Sequence, residues 1–166
     1  MSERVRAAVA AVRDPEISVL SIADLGILRS VQMERGRVVV TITPTYLGCP
    51  AMDVIRADIR AAALDAGCAD VEIVTSSSPP WTTDWLSDAA RAKLSAAGIA
   101  PPVGSSVPFV SLPASARSLP LTPVGPSCPR CGSVDSVELT RFGSTACKAL
   151  WSCRSCREPF EHLKVH

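Results

Sequence analysis

The stretch CPRCGSVDSVELTRFGSTACKALWSCRSC, residues 128–156, decides the fold of the C-terminal part of the chain. It contains two Cys-x-x-Cys pairs separated by 21 residues. Two thiolates three positions apart in a tight turn can bind one metal ion from the same side, and two such turns complete a tetrahedron. The alternating residues 137–140 and 158–163 predict strands. We therefore predict a zinc ribbon over residues 128–166, with the metal ligands Cys128, Cys131, Cys153 and Cys156.

A structural zinc ion is the preferred interpretation, because a closed site of four thiolates leaves no open position for catalysis. Iron in a rubredoxin-like site, or a cluster, has the same ligand chemistry, and a redox-active dithiol pair is a third alternative. The chain has seven cysteines, an odd number, which argues for metal ligation or thiol chemistry rather than a disulfide framework. Cys147 is interpreted as a small buried core residue rather than a fifth ligand. His162 and His166 are either further ligands or exposed side chains.

The composition describes a chain that can build a core but carries too little charge to wrap a polyanion. Its 166 residues include 17 Lys and Arg against 16 Asp and Glu, for a formal net charge of +1, and 47% of them are hydrophobic. The near-neutral charge argues against nucleic-acid binding. No apolar run approaches the roughly 18–20 residues of a membrane span, and the N-terminus lacks the apolar block of a signal peptide. We therefore expect a cytoplasmic protein with no nucleic-acid or membrane partner.

A proline-rich break divides the chain into three parts. Residues 101–127 carry seven prolines and a single charged residue. Because proline removes backbone donors and fixes φ, this segment cannot run as a helix or an interior strand. We interpret it as an extended linker between an α+β domain at residues 1–100 and the four-cysteine ribbon at residues 128–166.

The first hundred residues combine helical and strand patterns, which predicts an α+β fold. Apolar residues at helical spacing predict three helices, and β-branched runs on both sides of a glycine-containing turn predict a hairpin. A proline near the start and a glycine just past the end mark the second helix. The predicted elements are a helix at 3–12, hairpin strands at 26–33 and 37–43, a helix at 51–66, a strand at 71–74 and a helix at 84–97.

Cys49 lies immediately before the predicted helix at 51–66. Unpaired N–H groups and the positive end of the helix dipole stabilise a thiolate at such a position, where it can bind a soft metal or react reversibly. The alternative is a cysteine that serves as an ordinary small cap. The acidic residues Asp14, Glu16 and Asp24, taken alone, are interpreted as caps and turn formers.

The runs Asp14-Pro15-Glu16, Ser21 to Ile27 and Thr43-x5-Cys49-Pro50 resemble the iron–sulfur assembly family that carries a DPE motif. The resemblance covers residues 3–100. It implies a small α/β sandwich domain with a role in the maturation of metal–sulfur proteins. It also implies that Cys49 is the functional thiol and that the acids of the motif are Asp14, Glu16 and Asp24.

The whole chain resembles a narrower family, the D subunits of the bacterial phenylacetyl-CoA epoxidase. The resemblance rests on residues 79–85, 99–102, 142–150 and 158–160, and it spans both predicted domains. It implies two partners: a separate diiron oxygenase subunit, which is the catalyst, and a flavin and iron–sulfur reductase. This chain has no pair of Glu-x-x-His motifs for a diiron site and no Gly-x-Gly-x-x-Gly motif. We therefore do not expect it to be catalytic alone.

Three functions from different classes are consistent with these features. The first is an accessory subunit that matures iron or iron–sulfur sites of a ring-oxygenating complex, with structural zinc in the ribbon and transient iron or a cluster at Cys49. The second is an electron-transfer subunit with iron in the four-cysteine site. The third is a nucleic-acid-binding zinc ribbon, which the balanced charge disfavours. The sequence leaves a homodimer open.

Overall fold

The computed structural model describes residues 2–34, 36–46, 48–102 and 125–164. The chain divides into two compact units, the first ending at Ala97 and the second beginning at Gly98. Each unit contains its own sheet, and the predicted α+β class is confirmed. None of the described helices combines the length and the apolarity needed to cross a membrane.

The first unit, called here the α+β unit, packs helices against a three-stranded sheet. The sheet has the order β1-β2-β3, in which β1 is antiparallel and β3 parallel to the central strand. Its elements are α1 Ser2–Ala10, β1 Leu28–Glu34, β2 Arg37–Ile42, α2 Ala51–Asp65, β3 Val71–Thr75 and α3 Asp88–Ala96.

The core of the α+β unit follows from the two hydrophobic periods of the sequence. Alternate residues of β2, Val38 and Val40, are buried, as a strand with one covered face requires. Ile55 and Ile59 form the buried stripe of α2. Because β2 and β3 are parallel, the chain must cross over between them through α2. The loop at residues 43–50 is the start of that crossover.

The last helix begins later than the sequence predicts. In place of one helix at 84–97, the structure has a short 3-10 helix at Thr83–Trp85 followed by α3 at Asp88–Ala96. The Ser87 side chain accepts a hydrogen bond from the Ala90 N–H at 3.1 Å, which makes Ser87 the N-cap of α3. The other predicted helices and strands of this unit lie within two residues of their observed bounds.

The second unit, called here the ribbon unit, is a four-stranded sheet with the order β4-β7-β6-β5. Strands β5, β6 and β7 form an antiparallel meander, and β4 pairs in parallel with β7 at the edge. Neither β4 nor β6 is predicted from the sequence. The strands are β4 Ile99–Ala100, β5 Ser136–Thr140, β6 Lys148–Cys153 and β7 Pro159–Leu163.

The boundary between the units lies three residues before the predicted end of the first domain at residue 100. Ile99 and Ala100 pair with Glu161 and His162 of β7, and this pairing places them in the ribbon unit. Of the predicted linker at 101–127, residues 103–124 lie outside the described residues. The three-part division of the chain with a central linker therefore stays a prediction.

Candidate metal centre and cysteine loop

The four ribbon cysteines converge on one point. Their Sγ atoms all lie within 4.8 Å of one another. Cys128 Sγ lies 3.7 Å from Cys156 Sγ, and Cys131 Sγ lies 3.5 Å from Cys153 Sγ. A tetrahedron with metal–sulfur bonds of about 2.3 Å has sulfur–sulfur edges of about 3.8 Å. The positions of the sulfur atoms therefore fit a single four-coordinate metal ion.

Both Cys-x-x-Cys turns are built from the same backbone hydrogen bonds. The N–H of Gly132 donates to the carbonyl of Cys128, and the N–H of Arg157 donates to the carbonyl of Cys153, each at 2.9 Å. The donor residue is left-handed in both turns, with φ of 75° at Gly132 and 64° at Arg157. Glycine adopts this conformation readily, whereas arginine does so at a cost. The backbone of each turn thus positions its own pair of sulfur atoms.

The surroundings of the sulfur atoms differ from one ribbon cysteine to the next. Cys128 and Cys153 are buried and pack with Phe160 in the core of the ribbon unit. A hydrogen bond from the backbone of Cys156 lowers the pKa of Cys153 to about 6. Despite a hydrogen bond from the backbone of Glu158, burial and the neighbouring thiols raise the pKa of Cys156 to about 12. Four cysteine sulfur atoms this close together form a donor set that suits a single thiophilic divalent metal ion.

Two further ligand candidates lie away from the sulfur cluster. Cys147 is buried, with its Sγ 3.1 Å from the Thr145 hydroxyl, and it stands outside the cluster. His162 is neither a ligand of this site nor exposed, so the expectation for it is wrong. It is only 9% exposed beside the edge of Trp151, with ring centroids 5.9 Å apart. This burial lowers the pKa of His162 to about 4. His166 lies outside the described residues.

Cys49 lies in the loop between β2 and α2, where the sequence places it. Helix α2 begins at Ala51, and its N-cap residue Pro50 has no side chain that could accept a capping hydrogen bond. The Cys49 carbonyl accepts a hydrogen bond from the Met52 N–H at 3.3 Å. The capping interaction therefore uses the backbone of Cys49, while its half-buried thiol stays outside any disulfide. Cys49 stands two residues before the first residue of α2.

Asp14 forms a turn after α1. Its Oδ1 accepts hydrogen bonds from the N–H groups of Glu16 at 2.9 Å and Ile17 at 2.7 Å. Its own N–H donates to the carbonyl of Leu20 at 3.0 Å. The Asp14 side chain is buried and Glu16 is half-buried. These contacts are those of a turn-forming carboxylate.

Asp24 combines a turn with an ion pair. Its Oδ2 accepts hydrogen bonds from the N–H and the hydroxyl of Ser21 at 2.9 and 3.0 Å, and lies 2.7 Å from Lys93 Nζ. Burial of the carboxylate opposes its ionisation, but the donors of Lys93 and Ser21 outweigh that cost. The pKa of Asp24 is therefore held below its ordinary value of 3.8.

The ion pair of Asp24 predicts an acid-sensitive α+β unit. Because the folded-state pKa of Asp24 is lowered, its contribution is fully present above the unfolded-state pKa and is lost as the pH falls through the folded-state pKa. We expect Asp24→Asn to cost about 1 kcal/mol at pH 7 and to flatten the acid dependence of unfolding. Urea unfolding at pH 7 and pH 3, followed at amides of the α+β unit, measures both effects. The exposed Asp58→Asn is the control, and equal acid dependence in both variants would contradict the prediction.

Two tryptophans from a later part of the sequence, Trp81 and Trp85, contact the Asp24-Leu25-Gly26 turn. Trp81 Nε1 donates to the carbonyl of Leu25 at 2.8 Å, and this hydrogen bond is buried. Gly26 has φ of 71°, and a Cβ at that position would lie 2.8 Å from Trp85 Cβ. The sequence shows the two tryptophans but carries no signal for their partners, which lie more than 50 residues earlier.

The thiol of Cys49 and the motif acids do not form a preassembled metal site. Among the described residues, the ribbon cysteines are the only group of three or more potential ligands whose atoms converge. A cavity of about 220 Å³ lies beside the loop, lined by residues 43–46 with Ser77, Pro80 and Trp81. Its lining carries hydroxyl groups and no charge. The structure therefore brings Cys49 to a helix start but not into a ligand cluster.

Comparison with protein families matches the two ends of the chain to two different family models. Residues 2–75 match the model of the family described as iron–sulfur cluster assembly protein. Residues 114–164 match the model described as PaaD zinc beta ribbon domain. The first match covers most of the α+β unit, and the second includes all four converging cysteines.

Individual relatives cover either the whole chain or the α+β unit alone. A protein of Escherichia coli K12 named as the D subunit of a "Putative 1,2-phenylacetyl-CoA epoxidase" is 47% identical over 91% of this chain and 85% of its own length. The iron–sulfur protein maturation auxiliary factor YitW of Bacillus subtilis is 34% identical over 57% of this chain and 93% of its own length. The solved structure of a DUF59 domain from Bacillus anthracis superimposes with a TM-score of 0.51 at 27% identity, covering 56% of this chain and 90% of that domain.

Proposed function

The chain belongs to the family of D subunits of the 1,2-phenylacetyl-CoA epoxidase, and on that premise we propose that it is an accessory subunit that assists iron or iron–sulfur cluster assembly for this enzyme system. The metal or cluster is cargo, which the α+β unit would accept and pass on to an oxygenase or reductase subunit. The similarity of the same unit to iron–sulfur maturation factors supports this role.

The observation that carries the proposal is the thiol of Cys49 at the start of α2. Thiolates are preferred ligands of iron–sulfur clusters and soft metal ions. A single half-buried thiol without converging protein ligands can supply one bond to the cargo and leave the remaining positions to another molecule. Such an arrangement suits transfer better than storage, because a closed four-ligand site releases its metal slowly.

We assign zinc to the ribbon site as a structural ion. All four positions of a tetrahedron are taken by Cys128, Cys131, Cys153 and Cys156, so the ion would supply folding free energy and no open coordination position. The two functions are thereby divided between two sets of cysteines. Closed ligation stabilises the ribbon unit, and the single thiol of Cys49 handles cargo.

Replacement of Cys49 by serine tests the maturation role. We expect the variant to keep its fold and its zinc, because the capping hydrogen bond is accepted by the Cys49 carbonyl and not by its thiol. In a strain whose own copy of the corresponding gene is deleted, the variant should fail to restore growth on phenylacetate, whereas the wild-type chain restores it. Loss of the only cargo-binding thiol of the loop is expected to abolish growth rather than slow it.

Cys68→Ser is the matched control for this experiment. Cys68 is a half-buried thiol of the same unit, and its Sγ lies 2.9 Å from the carbonyl oxygen of Asp70. We expect this variant to grow like wild type. If Cys49→Ser also grows like wild type, the thiol is an ordinary cap and the maturation role proposed for it is wrong.

An electron-transfer function is favoured by one observation, since four converging thiolates bind iron as well as zinc. Metal analysis of the purified chain, together with its visible absorption spectrum, separates the two functions. Ferric thiolate sites absorb visible light, whereas zinc sites are colourless. One zinc per colourless chain supports the structural assignment, and one iron per coloured chain with a reversible reduction step supports electron transfer.

A further inference from the structure

The ribbon unit contains a second cavity, separate from its metal centre. The cavity has a volume of about 200 Å³. Ala149, Trp151 and Cys153 are spaced two residues apart along β6, so their side chains lie on the same face of the sheet. The cavity therefore lies on the face that also carries Cys153. Its lining consists of Glu138, Arg141, Ala149, Trp151, His162 and Lys164.

Two buried nitrogen atoms of this lining have no hydrogen-bond partner in the described part of the chain. They are Trp151 Nε1 and His162 Nε2. The His162 side chain is more than nine-tenths buried, so bulk water does not readily serve it. An indole N–H is a donor only, and buried donors in native proteins almost always have an acceptor. Trp151 Nε1 therefore indicates that the cavity receives an acceptor group from outside the described chain, and His162 Nε2 can donate to the same group in one of its two neutral tautomers.

The charges of the lining specify the sign of that group. Arg141 and Lys164 are cations, whereas Glu138 is the single anion of the lining. Lys164 Nζ is held in place by the backbone carbonyl of Arg141 at 3.2 Å. The guanidinium of Arg141 is exposed and offers up to five N–H donors in a fixed plane. Donors and positive charge therefore dominate the cavity, and an anionic acceptor complements both.

The rim of the cavity adds an apolar contact. Phe142 is 69% exposed, and Lys164 Nζ lies 4.9 Å from the centre of its ring. Aromatic side chains are enriched at protein interfaces, and Phe142 offers such a contact beside the charged cavity. The cavity is smaller than the roughly 300 Å³ at which pockets for whole metabolites begin. Its size suits one side chain rather than a nucleotide or a coenzyme.

We propose that this cavity binds the carboxylate of an acidic side chain presented by a partner protein, with an apolar neighbour of that side chain against Phe142. Arg141 and Lys164 pair with the carboxylate, and Trp151 Nε1 donates to one of its oxygen atoms. Planar guanidinium groups recognise carboxylates through two parallel hydrogen bonds, which gives the contact direction as well as charge complementarity. The inference goes beyond the maturation role and depends neither on Cys49 nor on the identity of the ribbon metal.

The indole N–H signal of Trp151 provides a direct test in the full-length, metal-loaded chain. The chain has three tryptophans, so its ¹⁵N-labelled form gives three indole signals, and Trp151→Phe identifies the third. The probe is the blocked peptide acetyl-Leu-Glu-Leu-amide, with acetyl-Leu-Gln-Leu-amide and inorganic phosphate as comparisons. We expect the glutamate peptide to shift the Trp151 signal saturably and the glutamine peptide to leave it unmoved.

Arg141→Gln should weaken the binding of the glutamate peptide at least about tenfold, since a charge-assisted contact is removed. The control Arg130→Gln removes an exposed arginine outside the cavity lining and should leave peptide binding unchanged. Absence of a saturable shift, or equal shifts with both peptides, would overturn the proposal. Saturation by phosphate at a lower concentration than by the glutamate peptide would also overturn it, in favour of a site for free anions.

Discussion

Replacing Cys153 by serine is expected to release the metal and unfold the ribbon unit while the α+β unit stays folded. A serine hydroxyl is a poor ligand for a thiophilic ion, and three remaining thiolates leave the site open. Two of the four cysteines, Cys128 and Cys153, are also members of a buried cluster with Ala100 and Phe160, so loss of the metal disturbs part of the core as well. Structural zinc contributes about 10 kcal/mol or more to comparable small domains, which exceeds the stability of such a unit.

Metal content and limited proteolysis measure this loss. The variant should contain less than one metal ion per chain, and protease should degrade the ribbon unit down to the α+β unit. Cys68→Ser removes a thiol that lies outside the cluster, and it should change neither the metal content nor the protease resistance. A metal-free Cys153→Ser chain with a protease-resistant ribbon would show that the site is not structural.

Gly26→Ala is expected to destabilise the α+β unit by about 3 kcal/mol. The left-handed backbone at Gly26 costs a residue with a Cβ about 1 kcal/mol, and the added methyl group would lie 2.8 Å from Trp85 Cβ. Overpacking of this kind costs a further 1–3 kcal/mol, roughly, because the neighbour must move. Trp85 also stacks under the Arg29 guanidinium at 3.7 Å from the ring centre, so its displacement disturbs a second contact.

Gly67→Ala separates the steric cost from the backbone cost. Gly67 also has a positive φ, of 92°, but no atom lies within 4 Å of the position its Cβ would occupy. We expect that variant to lose only about 1 kcal/mol. Urea unfolding of the two variants and the wild type compares the losses directly. If both glycine variants lose the same free energy, the contact with Trp85 does not constrain the turn.

The parts of this structure that the sequence predicts are those governed by local patterns. The stripe of Ile55 and Ile59 predicts α2, and the alternation of Val38 and Val40 predicts β2, because each pattern has the period of its element. The convergence of the four ribbon cysteines follows from their spacing, since a Cys-x-x-Cys turn positions its sulfur atoms through its own backbone.

The parts that the sequence does not predict depend on contacts between distant residues. Strand β6 begins at Lys148, a buried charged residue whose ammonium pairs with Glu161 at 2.9 Å. Strand β4 has two residues between a glycine and two prolines, and it exists because β7 offers it an edge. The burial of His162 depends on the same sheet. Periodicity carries no information about such partners.

The pairing of β4 with β7 makes the ribbon a discontinuous module. A residue pair such as Ile99 and Glu161 joins the two sides of the proline-rich segment into one sheet. A gene fusion that transplants the ribbon onto another protein must therefore start at Gly98 rather than at Cys128. A graft that starts at Cys128 leaves the outer edge of β7 bare, and a bare edge invites pairing with strands of other molecules.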